Sequence, residues 1–121
     1  MYLENSKTII VKIGSSLIID DKKIIRKKWL LEFAKDIKAL RKKNKNIIIV
    51  SSGAIALGCK KLNIAKKKLK IDQSQAVASV GQIELMNLFK EVFAIQKINI
   101  SQILLTLEDT EIRRRAINAK R

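Results

Sequence analysis

Two short segments of the chain combine the residue types that hold anions. Lys12-Ile13-Gly14-Ser15-Ser16 places a cation, a glycine and a pair of hydroxyls in immediate succession. A glycine directly after an apolar run lets backbone N–H groups approach a phosphate with no side chain in the way. Ser15 and Ser16 add hydroxyl donors to the same turn. Lys12 interrupts an otherwise apolar run, and an ammonium buried there without a partner is costly. It therefore meets an anion, from protein or ligand, or packs its stem and sends its head to water. The second segment is Ser51-Ser52-Gly53-Ala54. Hydroxyls and a glycine at the start of a helix suit a phosphate or carboxylate, because unpaired N–H groups and the helix dipole both favour negative charge. The same residues also fit a plain serine N-cap.

Other segments imitate chemistry without supporting it. Gly53-Ala-Ile-Ala-Leu-Gly58 has the glycine spacing of a Walker A loop, but Cys59-Lys60 follows where Lys-Ser/Thr is required. No GxGxxG fingerprint occurs. Arg113-Arg114-Arg115 would point in different directions on a helix and reads as a solvated basic face. Cys59, inside an apolar helical pattern, reads as a small packed hydrophobe.

Composition removes whole classes of mechanism. The 121 residues contain no histidine, no proline and one cysteine. Imidazole bases, His-ligated zinc, CxxC sites and internal disulfides are therefore excluded. No apolar run reaches the length of a membrane span, and no secretory leader follows the start, so a cytoplasmic setting is expected. Lys and Arg total 26 against 11 acidic residues, a net charge of +15. Such an excess can mark a nucleic-acid partner. Here it is mostly lysine spread along the chain, the pattern of solvated positions filled by a usage bias.

The elements that must position the two turns follow from periodicity. Thr8–Ile13 reads as a buried strand, and Ile24 to about Lys43 as an amphipathic helix with Ile25, Trp29, Phe33, Ile37 and Leu40 inward. Ile47–Val50 is a second strand, apolar without alternation, as expected with both faces covered. A short helix from Ala54 to Leu62, a lysine-rich connection to Lys70 and a long helix from Asp72 to Gln96 come next. Ile98–Leu105 reads as a third strand, and Thr106–Arg121 as a loop entering a helix. The order β-α-β-α-α-β-α implies an α/β fold with a parallel sheet, helices on both faces and no internal domain boundary. Ligands in such sheets collect at the carboxyl ends of the strands, where both anion-ready turns fall.

Taken in order, Ile10–Ser16, Ile48–Gly58, Gln75–Gln82, Gln102–Thr106, Asp109 and Arg115–Lys120 resemble the amino-acid kinase superfamily. Ser-Ser-Gly-Ala-Ile-Ala-x-Gly with Val-Gly-Gln downstream is similar to its glutamate-phosphorylating branch. The resemblance implies a three-layer α/β/α sandwich with a mainly parallel sheet, of which residues 1–121 are the N-terminal part. It implies transfer of the ATP γ-phosphoryl group to the side-chain carboxylate of L-glutamate, the first step of proline biosynthesis. Lys12 would be the catalytic lysine on the ATP phosphates, with Gly14, Ser15 and Ser16 in the same turn. Ser52, Gly53 and Ala54 would bind glutamate. Mg²⁺ would be held through the ATP phosphates and not by protein ligands. Homo-oligomers of the full-length enzyme are implied, with no membrane or nucleic-acid partner. Family catalytic domains are roughly twice this length, so the chain reads as a fragment inactive alone. The competing expectations are a small basic nucleic-acid-binding protein, and a sister kinase with another carboxylate or carbamate substrate.

Overall fold

A computed structural model describes residues 2–104. A four-residue helix α1 (Tyr2–Asn5) leads into strand β1 (Thr8–Ile13). Helix α2 (Lys27–Lys42) then carries the chain back to strand β2 (Asn46–Ser51). The strands pair in parallel, with Thr8 opposite Asn46 and Ile13 opposite Ser51. Helices α3 (Ala54–Leu62) and α4 (Ile71–Ile95) complete the described elements.

Alternation along the strands decides which face of the sheet is covered. Ile9 and Ile13 are buried and Val11 is partly so, while Thr8, Ile10 and Lys12 face outward. On β2, Ile47 and Ile49 turn toward the helices and Ile48 and Val50 turn away. Ile13 joins Leu30, Ala34 and Ile37 of α2, Leu57 of α3 and Leu85, Phe89, Val92 and Phe93 of α4 in one core, with Val11, Ile47 and Ile49 packed against it. The outer face carries Ile10, Ile48 and Val50 at 66%, 49% and 50% exposure. The strand composition anticipated cover on both faces; among the described residues, helices cover one.

Two further expectations are corrected. Residues 98–104 form no strand, and Ile103 and Leu104 are largely exposed. The apolar run there has the composition of a strand, yet a strand forms only where a neighbour's backbone is available to pair with it. Helix α2 begins at Lys27, not Ile24. The Asp20 carboxylate accepts the backbone N–H groups of Lys22 and Ile24, both at 2.9 Å, and Ile25 bridges to Ile19. That closed turn holds Ile24 and Ile25 out of the helix. Its apolar face is rotated accordingly: Leu30, Ala34 and Ile37 are fully packed, and Trp29 stacks on Phe33 at 5.3 Å nearer the surface. The basic run Arg113–Arg115 and the expected loop and helix of Thr106–Arg121 lie outside the described residues.

Helices α3 and α4 pack backbone to backbone. A Cβ on Gly58 would fall on the Val77 carbonyl, and one on Gly81 would fall on the Ala54 carbonyl. The glycines that imitate a phosphate loop in sequence include one whose task is this close approach. A salt bridge from Lys61 to Glu84 at 3.9 Å and one from Lys27 to Glu91 tie α4 to its neighbours at the surface.

Candidate functional site

Parallel pairing puts the carboxyl ends of β1 and β2 side by side, and the two serine-bearing turns with them. The Ser52 N–H donates to the Ile13 carbonyl at 3.1 Å, extending the sheet by one bond past the last ladder pair. Beyond it, Gly53 lies against the first turn: a Cβ there would sit 3.6 Å from Ile18 Cγ1 and 3.8 Å from Ser15 Cα. The two turns that chemistry singles out are thus in contact, although they are far apart along the chain.

The second turn is built for open donors. Gly53 is the N-cap of α3 at φ 121°, a conformation that side-chain-bearing residues rarely adopt. No side chain caps the helix. Ser51 Oγ instead donates to the Ser52 carbonyl at 2.9 Å, and Ser52 Oγ lies 3.5 Å from the Ile13 carbonyl. The plain serine N-cap is therefore not what the structure contains. The first N–H groups of α3, from Ala54 onward, have no acceptor within the helix and none from a cap.

In the first turn, Gly14 adopts an extended backbone, φ −75° and ψ 159°. Any residue could take that conformation, and a Cβ at Gly14 would meet no protein atom within 4 Å. Neither strain nor packing among the described residues explains the glycine, and the space above it is open. Ser15–Leu17 then form a single 3-10 turn, closed by Leu17 N–H to the Gly14 carbonyl at 3.1 Å.

Lys12 lies on the outer face of β1, opposite Val50. It is exposed and takes part in none of the ion pairs among the described residues. Of the alternatives open from sequence, a protein carboxylate as its partner is absent among those residues, and the ammonium remains available.

Arg26, at the entrance of α2, has a local task in the structure. Its Nε donates to the Ser16 carbonyl at 2.7 Å, and its backbone N–H donates to the Ile18 carbonyl at 2.8 Å. It staples the first turn to the start of α2. The missed signal is the break in helical pattern at Asp20–Ile25, which leaves Arg26 at a helix entrance. An open depression of about 800 Å³ begins at Ser16 and runs past Arg26 to Trp29.

Polyphosphate chemistry fits these residues. An ammonium with no ion pair among the described residues, a glycine with open space above it and helix N–H groups without a side-chain cap together offer charge neutralisation and directed donors. The sequence model of the Amino acid kinase family matches residues 7–121, and the chain belongs to that family. Among its relatives, glutamate 5-kinase of Pelagibacter ubique (strain HTCC1062) is 77% identical over 121 residues, all of this chain and 33% of the relative. Glutamate 5-kinase of Sinorhizobium fredii (strain NBRC 101917 / NGR234) is 48% identical over 118 residues, covering 98% of this chain and 30% of the relative. That of Ruegeria sp. (strain TM1040) is 44% identical over 119 residues, covering 98% and 32%. The chain spans about a third of the length of these curated relatives. No helix among the described residues is long and apolar enough to cross a membrane.

Proposed function

We propose that the chain is the N-terminal part of a single amino-acid kinase domain, residues 1–121, of a glutamate 5-kinase. The full-length enzyme transfers the γ-phosphoryl group of ATP to the side-chain carboxylate of L-glutamate, giving L-glutamyl 5-phosphate. The observation that carries this reading is the contact between the turns, Ser52 N–H on the Ile13 carbonyl with Gly53 against Ser15. It supports a donor carrying phosphates and an acceptor carrying a carboxylate held side by side. The 77% identity to a glutamate 5-kinase supports glutamate over another acceptor.

In this reading Lys12 neutralises charge on the transferring phosphates, and Gly14, Ser15 and Ser16 bring donors to them. Ser52, Gly53 and Ala54 orient the glutamate carboxylate through the start of α3. Two anions brought together repel, so catalysis rests on placement and charge neutralisation. A lysine about 4 Å from a phosphate oxygen is worth about 4 kcal/mol of gross attraction at an effective dielectric near 20. Only the share gained in the transition state accelerates the reaction. Mg²⁺ enters with the ATP phosphates and supplies further neutralisation. The exposed outer sheet face supports a second helical layer from the rest of the domain, completing a three-layer sandwich. The setting is cytoplasmic, and the full-length enzyme is a homo-oligomer.

An ATP-dependent glutamate phosphorylation assay tests the reading. The full-length protein carrying this segment turns over and its Lys12→Ala variant does so poorly, while the 121 residues alone are inactive. Lys12-dependent turnover by the isolated chain would overturn the fragment assignment. Salt-sensitive DNA binding with no response of the full-length protein to glutamate or ATP would overturn the kinase assignment.

A further inference from the structure

The turn that follows β1 has little packing of its own to hold it. Ser15–Leu17 contains no buried residue, and a Cβ at Gly14 would meet no protein atom within 4 Å. Burial resumes at Ile18 and Ile19. In the intervening stretch, the peptide joining Ser16 to Leu17 is held on both edges. Its N–H, from Leu17, donates to the Gly14 carbonyl at 3.1 Å, and its carbonyl, from Ser16, accepts the Nε–H of Arg26 at 2.7 Å. A peptide unit is planar, so bonds on both edges fix its orientation. Arg26 is a firm base for this. Its backbone N–H donates to the Ile18 carbonyl at 2.8 Å, and its carbonyl accepts the Leu30 N–H of α2 at 3.0 Å. Lys60 Nζ, from α3, donates to the Lys23 carbonyl at 2.6 Å and steadies the loop that leads into it. The guanidinium enters no ion pair among the described residues. An exposed bond of this kind contributes little to stability, because water competes for both partners. Direction is what it supplies.

We propose that Arg26 is a positioning residue for phosphoryl transfer, acting through the Ser16 carbonyl to hold the turn of residues 14–17 where it meets the phosphates of ATP. The inference rests on the kinase reading above and adds to it a residue that works through the backbone. Placement of this kind is sensitive, since a displacement of about 1 Å in a group that holds substrate can cost about 10²-fold in rate. The donor on Arg26, and not its charge, is what the turn requires.

Two substitutions in the full-length protein separate donor from charge. Glutamine carries Nε2 as far along its side chain as arginine carries Nε, so Arg26→Gln keeps the donor and removes the charge. Arg26→Met puts a methyl group there and removes both. The main-chain bonds of Arg26 survive either change, and circular dichroism checks that both variants are folded. In steady-state kinetics Arg26→Met raises the KM for ATP about ten-fold or more and leaves the KM for glutamate within about two-fold, while Arg26→Gln stays within about three-fold of the parent. Loss of folded protein would instead lower kcat and move neither KM. Amide hydrogen exchange across residues 15–19, measured without nucleotide, is faster in Arg26→Met and unchanged in Arg26→Gln. Unchanged exchange or an unchanged KM for ATP in Arg26→Met would overturn the role, as would an Arg26→Gln as impaired as Arg26→Met. A parent that phosphorylates no glutamate would overturn the kinase reading and this catalytic role together, with the exchange rates still reporting whether Arg26 holds the turn.

Discussion

Lys12, Gly14 and Gly53 lie at or just beyond the carboxyl ends of the paired strands but answer to different constraints, and substitutions separate them. Lys12→Ala removes an exposed ammonium with no protein partner among the described residues, so the melting temperature of the full-length enzyme stays nearly constant. Its kcat/KM falls on the order of 10²-fold or more, the scale seen when one transition-state donor is deleted. Gly14→Ala also leaves stability unchanged, because its Cβ enters empty space, but it raises the KM for ATP. Gly53→Ala differs. At φ 121° an alanine is strained, and thermal unfolding should report a loss of about 1–3 kcal/mol. The types of these residues were legible in the sequence because anion chemistry needs few of them. Which glycine served backbone geometry and which served open space was not, since φ and empty volume have no sequence signature. Arg26 was hidden for a similar reason: its bond to the Ser16 carbonyl depends on where α2 starts, and that start depends on the Asp20 turn.

Strand β1 and helix α3 match their expected bounds, and β2 and α4 differ from theirs by a single residue at each end. Long runs with one clean period mark their own limits. The start of α2 is set instead by a side-chain acceptor competing for backbone N–H groups, which periodicity does not register. The Ile98–Leu105 expectation failed on a different point, because a strand needs a pairing partner as well as suitable residues. The α3–α4 contact makes the most exacting demand on the sequence. Gly58→Ala and Gly81→Ala each force a methyl group into a main-chain carbonyl of the other helix. Chemical denaturation should show losses of about 1–3 kcal/mol for each, with Gly81→Ala also raising the KM for glutamate. That second effect follows because the displaced carbonyl belongs to Ala54, the first residue of α3 and part of the second turn. Backbone has no alternative rotamers, so α4 fixes that turn without slack.

The described residues form one core on one side of a two-stranded sheet, while the other side holds Ile10, Ile48 and Val50 in the open. This one-sidedness was not legible in the sequence, because an apolar strand's composition does not say which of its two faces its own neighbours in the chain cover. It also gives the isolated chain a colloidal character. An uncovered apolar face on a body of net charge +15 makes an amphiphile, in which like-charge repulsion holds the sticky faces apart. Added salt shortens the reach of that repulsion from about 10 Å at 0.1 M to about 3 Å at 1 M and leaves the apolar attraction intact. Light scattering from the 121-residue chain should therefore rise with ionic strength, the reverse of an assembly held by ion pairs. Ile48→Lys should flatten that rise. The lysines that first suggest a polyanion to bind are then, in physical terms, what holds exposed apolar sheet faces apart.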